Sequence, residues 1–409
     1  MARGVPRRPD GGRRRRRPLR LPARPARRPG GLGGRRHAVR RGAPVAVGVV
    51  GAGGSVGRAV LAELLRLGVG PVRAAVRRPP GRPLPAGVEV WPDPVDVADA
   101  RALAAFCAGC RVVVNTTGPV RAVGHQVAEA ALAAGADLAD VNDTTELPGP
   151  PPYERLLRWR TTVIGAGSMP GLAGLLPGLL FPGPPGAGGP PGILTVRVGG
   201  LPHFPPAAAR DFMDRLARPG GEVTAVWRGG RRVAGALAVE RGVRLPYFAG
   251  DVTAIPYLTE EAVGVARRYG VGEVRWYTVF GGEATRAVLD RYRAGLAPGP
   301  DVDRAAEELS RATLTDLAGR TPYHVVTCEL DGRGALVLTG TDSSALTGTA
   351  CAHAALALLD GGLPPGQLHF AGLPDPGGTV RRIARSPAVR GLRLLDGPLA
   401  HLPVEEGTL

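Results

Sequence analysis

Lysine is absent from the 409-residue sequence, so all 52 basic side chains are arginines. A chain without lysine cannot form a Schiff base with a carbonyl substrate, bind phosphate through a P-loop lysine or use lysine as a general base. Several classes of enzyme are therefore excluded at once. The arginine bias, together with 62 glycines and 42 prolines, is typical of a GC-rich coding sequence and says little more about function.

Cysteine is also scarce, with four residues in the whole chain. Cys107 and Cys110 form a CxxC motif, which suggests either a redox pair or half of a zinc site. No second CxxC and no HxxxH follows, and the pair ends an apolar helical stretch just before a predicted strand. We therefore interpret both residues as buried small hydrophobic groups, and we expect no metal site and a reducing, cytoplasmic location.

Long hydrophobic runs are missing as well, since no uninterrupted run reaches the ~20 residues that span a bilayer. The most hydrophobic stretch, residues 172–181, is interrupted by Pro177. The N-terminus has no apolar core of a signal peptide. The sequence thus predicts a soluble protein with no membrane partner.

Positive charge is concentrated at the N-terminus. Residues 1–43 contain 16 arginines and one acid, Asp10, and so carry +15 of the formal net charge of +17. This segment has almost no large apolar side chains to bury. It is either an arm for nucleic acid or membrane surfaces, or a disordered extension that includes sequence upstream of the true start codon. Because no aromatic side chains are interleaved for base stacking, we favour the extension and expect no nucleic-acid partner.

From residue 44 the pattern changes to short apolar strands that alternate with amphipathic helices. Strands are predicted at 45–50, 71–77, 88–91, 112–115, 137–141 and 161–165. This alternation predicts an α/β fold, with a doubly wound parallel Rossmann sheet over 44–181. A linker at 182–192 leads to a second, α+β domain at 193–343, whose mixed or antiparallel sheet includes a hairpin at 228–231. A final helix begins the C-terminal segment 344–409.

Glycines mark the predicted nucleotide site. Gly51, Gly54 and Gly57 follow the first strand with GxxGxxG spacing and lead into a helix. One glycine permits the tight turn, another lets the backbone approach a pyrophosphate, and the last allows close packing of helix and strand. The amides of this helix start, including those of Ser55 and Val56, would bind the phosphates. The βαβ context favours a dinucleotide site over a chance glycine-rich turn.

The end of the second strand distinguishes NAD from NADP. A carboxylate there would bind the ribose 2′-hydroxyl, whereas arginine accommodates a 2′-phosphate. Arg77 and Arg78 occupy this position, so NADP(H) is predicted, the alternative being a solvated arginine loop. Further predicted cofactor contacts are Asp96 and Val97 beside the adenine, and the end of the fourth strand at Asn115, Thr116, Thr117, Gly118 and Pro119.

Taken in order, the motifs resemble those of the saccharopine dehydrogenase-like family. The motifs that carry the resemblance are VVVNTTGP at 112–119, VAEAALAAG at 127–135, DVND at 140–143 and GAGSMPGL at 165–172. The resemblance implies a Rossmann domain, a sheet-rich domain at 193–343 for substrate binding or dimerisation, and a C-terminal helix and tail at 344–409 that pack on the Rossmann domain. A homodimer is therefore one expected assembly.

The same resemblance predicts the cofactor better than the substrate. The family includes saccharopine reductases, carboxynorspermidine-type enzymes and trans-acting enoyl reductases. The lysine-forming saccharopine dehydrogenases use a catalytic lysine, which this chain lacks, so that activity is not expected. No convincing set of arginine and tyrosine positions for binding an amino acid is evident in 193–340.

Two residues are candidates for proton transfer at the carboxyl ends of the strands. His125 lies just past the fourth strand and Asp143 just past the fifth, and imidazole titrates near neutral pH. The alternatives are a polar residue at a helix start and a capping aspartate. Further substrate-contact candidates, which the sequence does not place, are His203, Tyr247, Tyr257 and His324. His353 is predicted to pack within the final helix.

Three functions follow from this pattern. The leading hypothesis is an NADP(H)-dependent oxidoreductase that reduces C=N or C=O in a small or carrier-bound metabolite. The second is a trans-acting enoyl reductase that reduces C=C in a lipid or polyketide intermediate. The third is a non-catalytic nucleotide-binding scaffold.

Overall fold

The computed structural model describes residues 46–181, 192–217, 223–293 and 300–399. All of them belong to one unit, residues 43–409. The predicted extension at 1–43 and the predicted linker, apart from Gly192, lie outside the described residues.

Strands and helices follow one another in the order that the sequence predicts over the first half of the chain. The strands are β1 (Ala46–Val50), β2 (Val72–Ala75), β3 (Val88–Val90), β4 (Cys110–Asn115), β5 (Asp137–Asp140), β6 (Thr161–Ile164), β7 (Ile193–Leu201), β8 (Val226–Arg228), β9 (Arg231–Val233), β10 (Glu240–Arg244), β11 (Asp251–Pro256), β12 (Glu273–Phe280), β13 (Tyr323–Leu330), β14 (Gly334–Gly340), β15 (Gly366–His369) and β16 (Val389–Leu395). The α-helices are α1 (Ser55–Arg66), α2 (Ala100–Cys107), α3 (Val120–Val123), α4 (Gln126–Ala133), α5 (Leu172–Leu175), α6 (Pro206–Leu216), α7 (Glu260–Tyr269), α8 (Glu283–Arg293), α9 (Pro300–Leu317), α10 (Ser343–Leu359) and α11 (Pro376–Ile383). A 3₁₀ helix, Glu154–Arg158, lies between β5 and β6.

The first sheet has seven parallel strands in the order β15-β6-β5-β4-β1-β2-β3. Helices cover both of its faces, so the β-branched side chains of β1 and β4 are fully buried. Helices α1 and α10 lie on one face, and α2 and α4 lie on the other. The strand order reverses between β1 and β4, which is where a doubly wound sheet binds its ligand. This confirms the predicted Rossmann architecture.

The second sheet is mixed, as predicted. Its main path runs β10-β11-β12-β7-β13-β14-β16, and β8 and β9 form a hairpin attached to β12. Arg228 pairs with Arg231 across the turn at Gly229 and Gly230. The two strands of this predicted hairpin are short, with three residues each.

The C-terminal segment contributes to both sheets. Helix α10 packs closely on α1, where a Cβ at Gly348 would overlap the Cβ of Ala59. Strand β15 then joins β6 at the edge of the first sheet, and β16 joins β14 at the edge of the second. The returning helix is confirmed, but the segment after it does not pack on the first sheet alone.

All four cysteines are free and buried, in agreement with a packing role. Burial raises the pKa of the Cys107 thiol to about 12, so this thiol is not activated. The described residues contain no group of His, Cys, Asp or Glu side chains that could hold a metal ion. Over the same residues, no helix is long and apolar enough to cross a membrane.

Candidate active site at the carboxyl edge of the first sheet

The turn between β1 and α1 depends on two glycines. Gly51 has a φ of 83°, a left-handed conformation that favours glycine. A Cβ at Gly51 would lie 2.8 Å from Thr116 Oγ1, and a Cβ at Gly57 would overlap the carbonyl oxygen of Gly51. The Gly54 amide closes the turn by donating to the Gly51 oxygen over 3.1 Å. The backbone is therefore open to a ligand at the start of α1.

The first turn of α1 provides free backbone donors. The amides of Ser55, Val56 and Gly57 have no partner within the helix, because its first amides never do. The Val56 side chain packs against the core, whereas Ser55 is exposed and its Oγ lies 3.1 Å from Ser344 Oγ in α10. Helices α1 and α10 thus begin side by side. This arrangement suits a pyrophosphate.

The loop after β4 is fixed by its own side chains. Asn115 Oδ1 accepts from Thr117 N over 3.0 Å and from Thr117 Oγ1 over 2.6 Å. Asn115 Nδ2 donates to Asp140 Oδ2 at the end of β5 over 3.0 Å. Thr116 Oγ1 donates to the Val50 oxygen over 2.8 Å. Asn115 and Thr116 therefore hold the loop beside the glycine turn.

Gly118, Pro119 and Val120, which end this loop, lie against helix α6 from the second half of the chain. The Gly118–Pro119 peptide bond is cis. A Cβ at Gly118 would lie 3.5 Å from the Cβ of Ala207 in α6. Asp211 Oδ1, also in α6, accepts from Val120 N over 2.8 Å. Helix α6 therefore covers this end of the sheet edge.

The predicted 2′-phosphate and adenine residues lie together at the end of β2. Arg77 and Arg78 are exposed. Arg77 Nη1 lies 4.0 Å from Asp96 Oδ2, a loose pair in which both side chains are about half exposed. Asp96 Oδ1 also accepts from Ala98 N over 3.0 Å, and Val97 packs against the core beside α2. An exposed ion pair at this distance contributes little to stability. An anionic ligand can therefore replace Asp96 as the partner of Arg77.

Asp143 is buried, and one of its two carboxylate oxygens accepts hydrogen bonds. Its Oδ1 accepts from Thr145 N over 3.1 Å and from Thr145 Oγ1 over 2.5 Å, which caps the 3₁₀ helix Thr144–Glu146. The predicted capping alternative is thus present in the structure. Its Oδ2 lies 3.8 Å from Nδ1 of His369, a half-exposed residue at the end of β15. The two oxygens of Asp143 therefore have different surroundings.

His125 precedes α4 and makes no capping hydrogen bond. Its ring meets Tyr153 edge-on at 5.4 Å, and neither ring nitrogen has a partner among the described residues. Burial lowers the pKa of the imidazole, because the charged form loses hydration. His125 is not among the residues that line the clefts described next.

A narrow cleft lies between the first sheet and the second. Asp143 reaches it from the end of β5, and Met169 and Pro170 reach it from the turn after β6. Helix α6, strands β11 and β12 and helix α7 form the other wall, which includes Phe212, Arg215, Tyr257, Thr259, Glu261 and Thr278. Of the second-domain candidates from the sequence, Tyr257 lines this cleft. His324 is buried in β13, and burial lowers its pKa to about 4.

A larger cleft, with a volume of about 570 Å³, shares part of that wall. It is lined by Thr145, Pro170, Glu261, Arg268 and His369 among others. Glu261 and Pro170 thus separate the two clefts. Sequence reasoning did not single out Glu261 or His369, because an acid in the first turn of a helix is common and β15 is a short polar strand.

Asp140 is a second carboxyl that the sequence did not single out. It is fully buried at the end of β5, where it accepts from Asn115 Nδ2 and, over 2.9 Å, from Asn142 N. Burial raises the pKa of Asp140 to about 6. Asn142 Nδ2 in turn donates to the Thr117 oxygen over 3.0 Å. This network joins the ends of β4 and β5 beside Asp143.

Comparison with known proteins finds a family to which the part of the chain that forms most of the first sheet is similar. The family model described as the saccharopine dehydrogenase NADP-binding domain matches residues 47–162. This match confirms the predicted resemblance and NADP(H) as the cofactor of the domain. A search of curated proteins found no match.

Saccharopine dehydrogenase (L-Glu forming) from Saccharomyces cerevisiae has the same fold over most of the chain. It is 15% identical, and the alignment covers 86% of this chain and 100% of that chain with a TM-score of 0.55. Shorter matches include a Rossmann-fold NAD(P)-binding protein from Shigella flexneri, 20% identical over 30% of this chain and 66% of that chain, with a TM-score of 0.23. Uronate dehydrogenase from Agrobacterium tumefaciens is 21% identical over 29% and 59%, with a TM-score of 0.23.

Proposed function

We propose that the protein is an NADPH-dependent reductase, because residues 47–162 match the model of the saccharopine dehydrogenase NADP-binding domain. It acts on a C=N or C=O bond in a small or carrier-bound metabolite. One observation carries this proposal: the glycine turn and the cleft at Asp143 lie on the same edge of one parallel sheet, on either side of the loop after β4. A dinucleotide with its phosphates on α1 would extend toward that cleft.

The residues around the turn fit this cofactor. Gly51 and Gly57 leave room where a side chain would clash, and the amides of Ser55, Val56 and Gly57 suit the pyrophosphate. We assign the 2′-phosphate to Arg77 and Arg78 and the adenine to the loop at Asp96 and Val97. The loop Asn115–Pro119 would hold the nicotinamide half. When bound, the reduced nicotinamide supplies a hydride.

Proton transfer then falls to groups at the cleft. Asp143 remains a candidate through its Oδ2, which lies 3.8 Å from Nδ1 of His369. His125 lies outside both clefts, so its role would require a movement of the α3–α4 segment. Apo distances in such sites are often long and shorten when substrate binds.

The first test is a fluorescence titration of the whole chain with NADPH and NADH. The double variant Arg77→Ala plus Arg78→Ala should weaken NADPH binding by about tenfold or more and leave NADH binding unchanged, because only NADPH carries the 2′-phosphate. The matched control is Arg155→Ala plus Arg158→Ala, which removes the same charge from an exposed 3₁₀ helix. Equal loss in both double variants would overturn the assignment of the 2′-phosphate.

Substrate is tested by NADPH turnover. The similar yeast protein is a saccharopine dehydrogenase that forms L-glutamate, so saccharopine with NADP⁺ is one pair to assay, with release of L-glutamate as the readout. Carbonyl, imine and enoyl compounds, free and carrier-bound, form the rest of the screen. Turnover of enoyl compounds alone would favour the trans-acting enoyl reductase. Nucleotide binding without any turnover would favour a non-catalytic scaffold.

A further inference from the structure

Glu261 joins the two walls of the smaller cleft. It lies in the first turn of α7, beside the second sheet, and it is almost completely buried. Its Oε1 accepts from Gly171 N over 2.5 Å and from Gly174 N over 2.9 Å. These amides belong to the turn after β6 and to the start of α5. One oxygen of Glu261 therefore fixes the turn that carries Met169 and Pro170 into the cleft.

The other oxygen of Glu261 has no hydrogen-bond partner among the described residues. A buried acceptor without a donor destabilises the fold, so its presence in a cleft points to a functional role. The titratable and charged groups near this carboxyl come from several elements. They are Glu260 and Arg268 in α7, Arg215 in α6, Tyr257 after β11, Asp143 after β5, Cys328 in β13 and His369 in β15.

The protonation of Glu261 is unusual. Burial raises the pKa of its carboxyl to about 7, and the negative charge of Asp143 adds to this effect, although the two backbone amides oppose it. Such a group holds a proton near neutral pH and can release it.

Geometry also relates Glu261 to the cofactor. The phosphates are assigned to α1, and the cofactor site extends from β1 past β4 to the end of β5. Asp143 stands at the end of β5 and lines the same cleft as Glu261. We propose that Glu261 faces the nicotinamide end of the cofactor site and is the proton donor of the reduction. This proposal rests on the proposed function.

The proton and electron balance is simple. The reduced nicotinamide would supply a hydride to the carbon of the C=N or C=O bond. The π pair of that bond would move to the nitrogen or oxygen, and Glu261 Oε2 would give its proton to that atom. Glu261 would be left as a carboxylate, and the positive charge of an oxidised nicotinamide nearby would favour this form. Because Oε2 is buried, it would regain a proton from water that enters the cleft when product leaves. Glu261 should therefore prefer its charged form when NADP⁺ is bound, and not when NADPH is bound.

This preference can be measured without a substrate. The whole chain is titrated with NADP⁺ and with NADPH between pH 5.5 and 8.5, as wild type and as Glu261→Gln. In the wild type, the Kd for NADP⁺ should fall by about tenfold relative to that for NADPH as pH rises, because release of the Glu261 proton is coupled to the binding of the positively charged nucleotide. Both nucleotides carry the 2′-phosphate, so its own titration cancels in this ratio.

Two further variants make the result decisive. Glu283→Gln removes an exposed acid from the first turn of α8 and should keep the wild-type pH dependence. Glu261→Asp keeps a titratable carboxyl and should retain a pH dependence even where Glu261→Gln fails to fold. An identical NADP⁺-to-NADPH ratio at all pH values in the wild type, or the same pH dependence in Glu261→Gln, would overturn the proposal while the reductase assignment stands. If neither nucleotide binds, the proposed function fails together with it.

Discussion

Gly57 lies where α1 passes closest to the turn that precedes it. A Cβ there would overlap both the carbonyl of Gly51 and the Cα of Ala52. These are backbone atoms, so neither can move aside without displacing the turn. Gly53, in the same turn, has more room, since a Cβ would meet Val76 Cγ1 at 3.5 Å. The two positions therefore allow a matched comparison.

We expect Gly57→Ala to destabilise the protein by about 1–3 kcal/mol, as overpacking does in close-packed regions, and to weaken NADPH binding by at least about tenfold. Gly53→Ala should change stability by less than about 0.5 kcal/mol. Urea unfolding and NADPH fluorescence measure the two effects. Normal NADPH binding by Gly57→Ala would show that the α1 turn is not the phosphate site.

Glu63 is a buried acid with an unusual set of partners. It accepts from Arg66 in its own helix at 2.7 Å and from Ser386 at 3.0 Å, and His353 Nε2 lies 3.3 Å away in α10. The predicted packing position of His353 is thus correct, and a polar network accompanies it. Hydrogen bonds from these partners outweigh the burial of the carboxyl and lower the pKa of Glu63 to about 2.

This lowered pKa predicts acid-dependent stability. The carboxylate stabilises the fold above pH 4.5, the ordinary pKa, and that contribution is lost as pH falls toward 2. Glu63→Gln should therefore lower the free energy of unfolding by about 3 kcal/mol at pH 7 and by clearly less at pH 3. Urea unfolding at both pH values checks this. An equal cost at the two pH values would mean that charge is not what Glu63 contributes.

At the scale of elements, long apolar strands and glycine turns were predictable from the sequence. β1, β4 and β12 carry β-branched or aromatic side chains that are buried on both faces, so their pattern is unambiguous. The edge strands β10, β15 and β16 have half-exposed, polar or mixed sequences without a clear period. These segments form strands because they pair with a neighbouring strand, and the local sequence pattern carries no information about that neighbour.

The candidate site likewise has residues that the sequence predicts and residues that it does not. The cofactor residues follow one another along the first sheet, so local motifs locate them. Glu261 and His369 come from elements over a hundred residues further along, and only the packing of α7 and β15 brings them to Asp143.

The contact between α1 and α10 is close because of one small residue. A Cβ at Gly348 in α10 would overlap the Cβ of Ala59. We expect Gly348→Ala to lower the free energy of unfolding by about 1–3 kcal/mol. Gly264, also within a helix, has nothing within 4 Å of a Cβ, so Gly264→Ala should raise it by up to about 1 kcal/mol through helix propensity. Thermal unfolding that ranks the two variants in the opposite order would contradict this account.

At the scale of the whole molecule, Glu261 connects the two sheets and makes the stability of the protein depend on pH. Its folded-state pKa of about 7 is above the ordinary 4.5, so the stability it contributes is full below pH 4.5 and lost as pH rises through 7. Glu261→Gln removes the titrating group, so the free energy of unfolding of the variant should depend less on pH. Relative to the wild type, the variant should gain about 3 kcal/mol of stability between pH 5 and pH 8. Calorimetry across that range measures it, and parallel curves for wild type and variant would contradict it.

The C-terminal strands have a consequence for how the chain is made. β15 and β16 both follow α10, and they complete different sheets. During synthesis, β6 therefore has an unpaired edge until about 200 further residues have been made, and β14 until about 50 further residues have been made. Such edges can pair with other chains. Nascent or prematurely terminated protein should therefore depend on chaperones far more than the finished chain does.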